Sequence, residues 1–81
     1  MMILDGKNMT TRTAAHDEIA RVLEFPEHYG RNLDALWDLL NEKTWRIRLI
    51  NSAEMFGALG IYGVKLMETF REAETVELIE G

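Results

Sequence analysis

The chain has no cysteine, one proline and no excess of basic residues. Among its 81 residues, 14 acids face nine bases, for a formal net charge of −5. Without cysteine no disulfide can staple the fold, and with His16 and His28 as the sole histidines a structural zinc site lacks ligands. The negative balance argues against nucleic acid and anionic membrane, both of which select basic surface. No run approaches the ~20 apolar residues of a membrane span. The opening Met1-Met2-Ile3-Leu4-Asp5-Gly6-Lys7 has neither the basic start nor the long apolar core of a signal peptide, so the expected location is the cytoplasm. No internal repeat, low-complexity tract or linker divides the chain.

What is present points to one packed domain over 1–81. Hydrophobic residues make up 47% of the chain, too many for disorder. A domain of this length buries roughly 60–65% of the surface its unfolded chain exposes, so its stability margin is thin.

Met2-Ile3-Leu4-Asp5, closed by Gly6, reads as a buried first strand. Thr13 is the expected N-cap of a helix over roughly 14–24, with Ala15, Ile19, Val22 and Leu23 inward and Pro26 as its stop. Asn32 is the expected N-cap of a second helix. There Leu33, Leu36, Trp37 and Leu40 recur at helical spacing and Lys43 falls in the last turn. Arg46 to Ile50 alternates like a strand. Ser52 is placed to cap a short helical segment, a further helix runs from about Tyr62 to Ala73, and Thr75 to Ile79 closes the chain as a strand. The order β-α-α-β-α-α-β implies an α/β fold whose parallel strands are joined by right-handed helical crossovers.

The second helix has an odd outer face. Asp34, Asp38 and Glu42 recur every fourth residue, and each like-charge pair at that spacing costs about 0.2–0.5 kcal/mol. Asp34 has a structural reason to be there, because an acid in the first turn complements the helix dipole and Arg31 is near enough to pair with it. Asp38 is mid-helix, where aspartate is a poor helix former. A solvated surface accounts for such a row, and three sharper readings stand beside it. Acid–base catalysis requires carboxylates that flank a substrate from separate elements. A hard cation requires more oxygens than one helix face supplies, and no calcium-loop motif is present. A protein-binding face requires acids on a rigid helix, flanked by aromatics and aimed at a partner's cations. Trp37, at the margin of the apolar stripe, is expected to pack with one edge exposed, Trp45 to pack at the start of the second strand, and His16 to lie at the surface or boundary.

From Pro26 to Asp38 the chain reads P-E-H-Y-G-R-N-L-D-A-L-W-D. This segment resembles the signature stretch of the barstar family, intracellular inhibitors of the secreted ribonuclease barnase, which reads P-E-Y-Y-G-E-N-L-D-A-L-W-D. Phe70-Arg71-Glu72-Ala73 and Ile3-Leu4-Asp5-Gly6 are similar to the family's last helix and opening strand. The resemblance therefore runs end to end, with a few residues missing around the third helix and after Ala73.

The resemblance implies a barstar-like α/β fold, a three-stranded parallel sheet packed against about four helices, with no enzymatic activity and no cofactor. It implies a monomer that forms a 1:1 complex with a basic ribonuclease, barnase-like or another extracellular enzyme, in the manner of an immunity protein. The second helix and its preceding loop would plug the nuclease site. Carried over by residue, Asp38 would be the central charge, Asp34 would meet a second basic group and Glu72 would add a peripheral contact. His28, Tyr29, Gly30, Asn32 and Trp37 would form the surrounding surface. Three departures bear on the target: His28 stands for a tyrosine, Arg31 for a glutamate and Lys43 for a tryptophan. Each removes aromatic area or shifts the rim toward positive charge, and rim charge tunes partner choice. A barstar-fold interaction module whose partner is not a ribonuclease is the alternative.

Overall fold

A computed structural model describes residues 1–81. Three strands, β1 (Met2–Asp5), β2 (Trp45–Ile50) and β3 (Val76–Glu80), form one parallel sheet in the order β1-β2-β3. Four helices fill the crossovers: α1 (Arg12–Leu23) and α2 (Leu33–Leu40) between the first two strands, then α3 (Ser52–Leu59) and α4 (Ile61–Glu72) between the last two. A 3-10 turn at Gly6–Asn8 follows β1. Gly6 is required there, because a Cβ would collide with the Asn51 carbonyl. None of the helices is long and apolar enough to cross a membrane.

The sheet is covered on one face. In β2, Trp45, Ile47 and Leu49 are buried while Arg46 and Arg48 are exposed, the period-two alternation of a half-covered strand. The buried set packs with Leu4, Ile19, Leu23, Leu36, Leu40, Leu66, Met67 and Phe70 into one continuous core. On α4, Leu66, Met67 and Phe70 are wholly buried.

Several local expectations shift. Thr11, not Thr13, caps α1, its hydroxyl accepting from the Ala14 amide at 3.0 Å. The helix ends before the proline acts: Glu24 takes a left-handed conformation (φ 57°) and its amide donates to Ala20. Ser52 is the first residue of α3 and Asn51 its cap, in a left-handed conformation with no side-chain capping bond. Lys43 is not in a helical last turn, since α2 ends at Leu40; its ammonium lies 4.5 Å from the Trp45 ring centroid instead.

Candidate functional site

Both ends of α2 are fastened. At its start Asn32 leaves the helix in an extended conformation and its Oδ1 accepts from the Ala35 amide at 2.7 Å. At its end the Leu40 carbonyl, which no helical amide reaches, accepts from Trp45 Nε1 at 3.1 Å and from the Thr75 hydroxyl at 2.6 Å. Those donors stand at the start of β2 and just before β3, so the helix is tied to the sheet at its C-terminus. Leu36 and Leu40 are wholly buried beneath it, and α2 packs against α4.

The connection before α2 is held from below. Tyr29 is 4% exposed and stacks edge-on against Phe25, with centroids 5.0 Å apart. Its hydroxyl lies 2.5 Å from His16 Nδ1, and the Tyr62 hydroxyl lies 2.6 Å from His16 Nε2. A neutral imidazole donates from one nitrogen and accepts at the other, so both ring atoms are satisfied. His16 is therefore a buried strut between α1, the loop and α4, not a boundary residue. Burial drives its pKa down from the ordinary 6.5, reinforced by the Arg31 charge and opposed by Asp17. Burial likewise pushes the phenols of Tyr29 and Tyr62 up. This network escaped the sequence reading because His16 and Tyr62 lie 46 positions apart, with no spacing signal between them.

Tyr29 is consequently a support for the loop and has almost no surface to offer a partner. His28 and Gly30 on either side of it are exposed. Gly30 leaves little room above Asn32: a Cβ there would lie 3.0 Å from the Asn32 amide nitrogen, which donates to the Gly30 carbonyl at 3.2 Å. Arg31 adopts φ 52° and its guanidinium reaches α1, donating from Nε to Asp17 at 2.7 Å. The expected Arg31–Asp34 pair is thus replaced by an Arg31–Asp17 pair, because the left-handed backbone aims the side chain at α1.

Two grooves flank the front of α2. His28, Asp38, Leu39 and Glu42 line one of about 240 Å³, together with Tyr29, Gly30 and Ala35. Arg12, Arg31, Asn32, Asp34 and Tyr62 line a second of about 370 Å³. Glu42 belongs to the first groove although it lies beyond the helix, in the turn after the Asn41 C-cap. Trp37 is 40% exposed and stands outside the buried core cluster, so part of its ring is covered and part is open at the surface. Glu72 is exposed at the end of α4 and lines neither groove. Asp34, Asp38, Glu42 and Glu72 enter none of the four ion pairs, which join Arg21 to Glu18, Arg31 to Asp17, Arg46 to Glu77 and Arg71 to Glu80. No three acidic or histidine side chains converge as a metal-binding group.

Comparison with known proteins places these features in a family. The model of the family Barstar (barnase inhibitor) matches residues 1–77. A Bacillus subtilis (strain 168) protein named "Putative ribonuclease inhibitor YrdF" is 36% identical over 76 residues, which span 90% of this chain and 84% of that protein. Barstar-family proteins are inhibitors, not enzymes, and the partner the family implies is a ribonuclease. The three parallel strands, the four helices and this match over nearly the whole chain agree: the protein belongs to the barstar family and has a barnase-inhibitor-like role.

Proposed function

We propose that the protein inhibits a basic ribonuclease by seating the front of α2 and the loop before it in the enzyme's phosphate-binding cleft. One observation carries the reading: Asp34, Asp38 and Glu42 are exposed, point from one helix and the turn after it, and have no cation of their own. A cleft built to hold RNA phosphate presents arginine, lysine and histidine, and a row of carboxylates meets them as phosphates do. Asp38 is the central charge, with His28 and Glu42 beside it in the same groove. Asp34 and Asn32 meet the next group along, Gly30 and Trp37 add contact area, and Glu72 acts from the periphery. Tyr29 contributes by holding the loop.

The rigidity of the site supports tight binding. With α2 fastened at both ends and Tyr29 locked beneath the loop, little backbone ordering remains to oppose association. The net charge of −5 also accelerates encounter with a basic partner. Inhibition in this scheme is occlusion: one protein covers one active site, no bond is made or broken, and the cell is protected in its own cytoplasm.

The test is titration of basic secreted ribonucleases, barnase first, with RNA hydrolysis as the readout. Hydrolysis should reach zero near one equivalent, and association should slow steeply with added salt. If the protein is retained by a partner yet leaves every ribonuclease active, it is an interaction module of the same fold, and the present reading is wrong.

A further inference from the structure

Beside the acidic row lies a groove that carries two arginines. Arg12 and Arg31 face the same groove of about 370 Å³ that Asn32 and Asp34 enter from α2. Arg12 has no carboxylate partner; its guanidinium carbon lies over the Tyr62 ring, 4.3 Å from the centroid. A cation held over a ring keeps its N–H groups free to donate outward. Arg31 is fixed on the other side. Its Nε donates to Asp17, its Nη1 reaches the Tyr29 carbonyl at 3.4 Å, and Nη2 has no partner. Tyr62 also carries the hydroxyl bonded to His16, so the platform under Arg12 belongs to the same framework that locks the loop.

We infer that the Arg12–Arg31 groove receives a carboxylate side chain of the nuclease, adjacent to the cations that meet Asp34 and Asp38. The inference rests on the inhibitory reading above and narrows the partner. The target presents its cationic cleft with an acidic residue on the rim, and the inhibitor answers with the complementary order of charges. Charge complementarity argues for it, since two guanidiniums that line one groove and keep free donors suit a carboxylate. Against an unbroken basic surface these arginines would repel, which makes them a selector against ribonucleases without that acid.

The sign of one measurement decides. Arg12→Gln and Arg31→Gln together make the inhibitor more acidic by two charges, which by general electrostatics tightens its binding to a basic enzyme. The groove contact demands the reverse. With the basic ribonuclease that the wild-type protein binds best, the double variant should bind roughly ten- to a hundredfold more weakly, with the loss in the dissociation rate. Arg12→Gln alone should show part of that loss. It leaves the Arg31–Asp17 pair intact, so a melting temperature equal to wild type separates lost contact from lost folding. Equal or tighter binding by Arg12→Gln overturns the inference while wild-type inhibition leaves the inhibitory reading standing. Failure of the wild-type protein to inhibit any basic ribonuclease overturns both. Titration with inorganic phosphate is the remaining arm: saturation of the groove by phosphate at millimolar concentration, with unchanged nuclease binding by the variants, would mark an anion pocket in place of a protein contact.

Discussion

The open face of the sheet and the front of α2 are both exposed and charged, yet they handle charge in opposite ways. On the sheet, Arg46 and Glu77 are register partners on neighbouring strands and their side chains meet at 2.8 Å. Cross-strand geometry places these opposite charges side by side, so this pair is neutralised within the molecule, while Arg48 on the same face stays unpaired. On α2, helical geometry places Asp34 and Asp38 one turn apart with no cation between them. Arg31, the nearest candidate in sequence, is drawn to Asp17 by its left-handed backbone. A pair that completes its own charges serves stability; in the proposed mode of inhibition, the row left open on α2 serves the partner.

Asp38→Ala is the sharpest way to break this contrast. Loss of the central carboxylate leaves the nuclease's buried cations unpaired and should weaken binding by about 2–5 kcal/mol, a range to which complexes of this family themselves contribute. Folding should move the other way. The substitution removes a like-charge neighbour of Asp34 and installs a better helix former, a gain of about 0.5–1 kcal/mol. Inhibition constants and thermal melts on one preparation check both signs. A variant that binds normally, or melts lower, places Asp38 in the structure and not in the interface.

His16 sharpens the comparison from beneath the loop. Its folded pKa lies below the unfolded 6.5, so in the window between the two the unfolded state holds the extra proton. Stability is therefore complete above about pH 6.5 and falls as the pH drops through that window, by at most about 1.4 kcal/mol per pH unit for one group. His16→Gln should flatten the pH dependence of the melting temperature between neutrality and about pH 5, whatever it does to stability at pH 7. An unchanged slope would mean that the imidazole does not titrate with folding.

The residues explain which parts were legible beforehand. Strands and helices were readable because burial imposes a period: Trp45, Ile47 and Leu49 alternate, while Leu33, Leu36 and Leu40 recur at helical spacing. The Asn32 cap was readable because it is local. Thr11 was missed in favour of Thr13, since two threonines two apart offer the same capping chemistry and only the backbone chooses. The acidic row was visible as an electrostatic anomaly before any fold was known. Its setting was not: the end of α2 at Leu40, which puts Glu42 in a turn, depends on Trp45 and Thr75 capturing the last carbonyl. The burial of Tyr29 depends on His16 and Tyr62, distant partners that no local pattern announces.

The smallest expected effect comes from the Arg46–Glu77 pair on the sheet. Glu77→Ala removes one member of an exposed pair whose side chains are 68% and 60% accessible. Solvent screens such a pair, so the change in stability should fall within about 0.2–1 kcal/mol. Arg46 then stands free on the sheet, and the inhibitor becomes less acidic by one charge. Association with a basic nuclease should slow slightly at low ionic strength and match wild type at high salt, because the lost charge acts only through the long-range field. The dissociation rate should not change. A faster dissociation would place the sheet face in contact with the nuclease, and the division between a face that serves folding and a face that serves the partner would no longer hold.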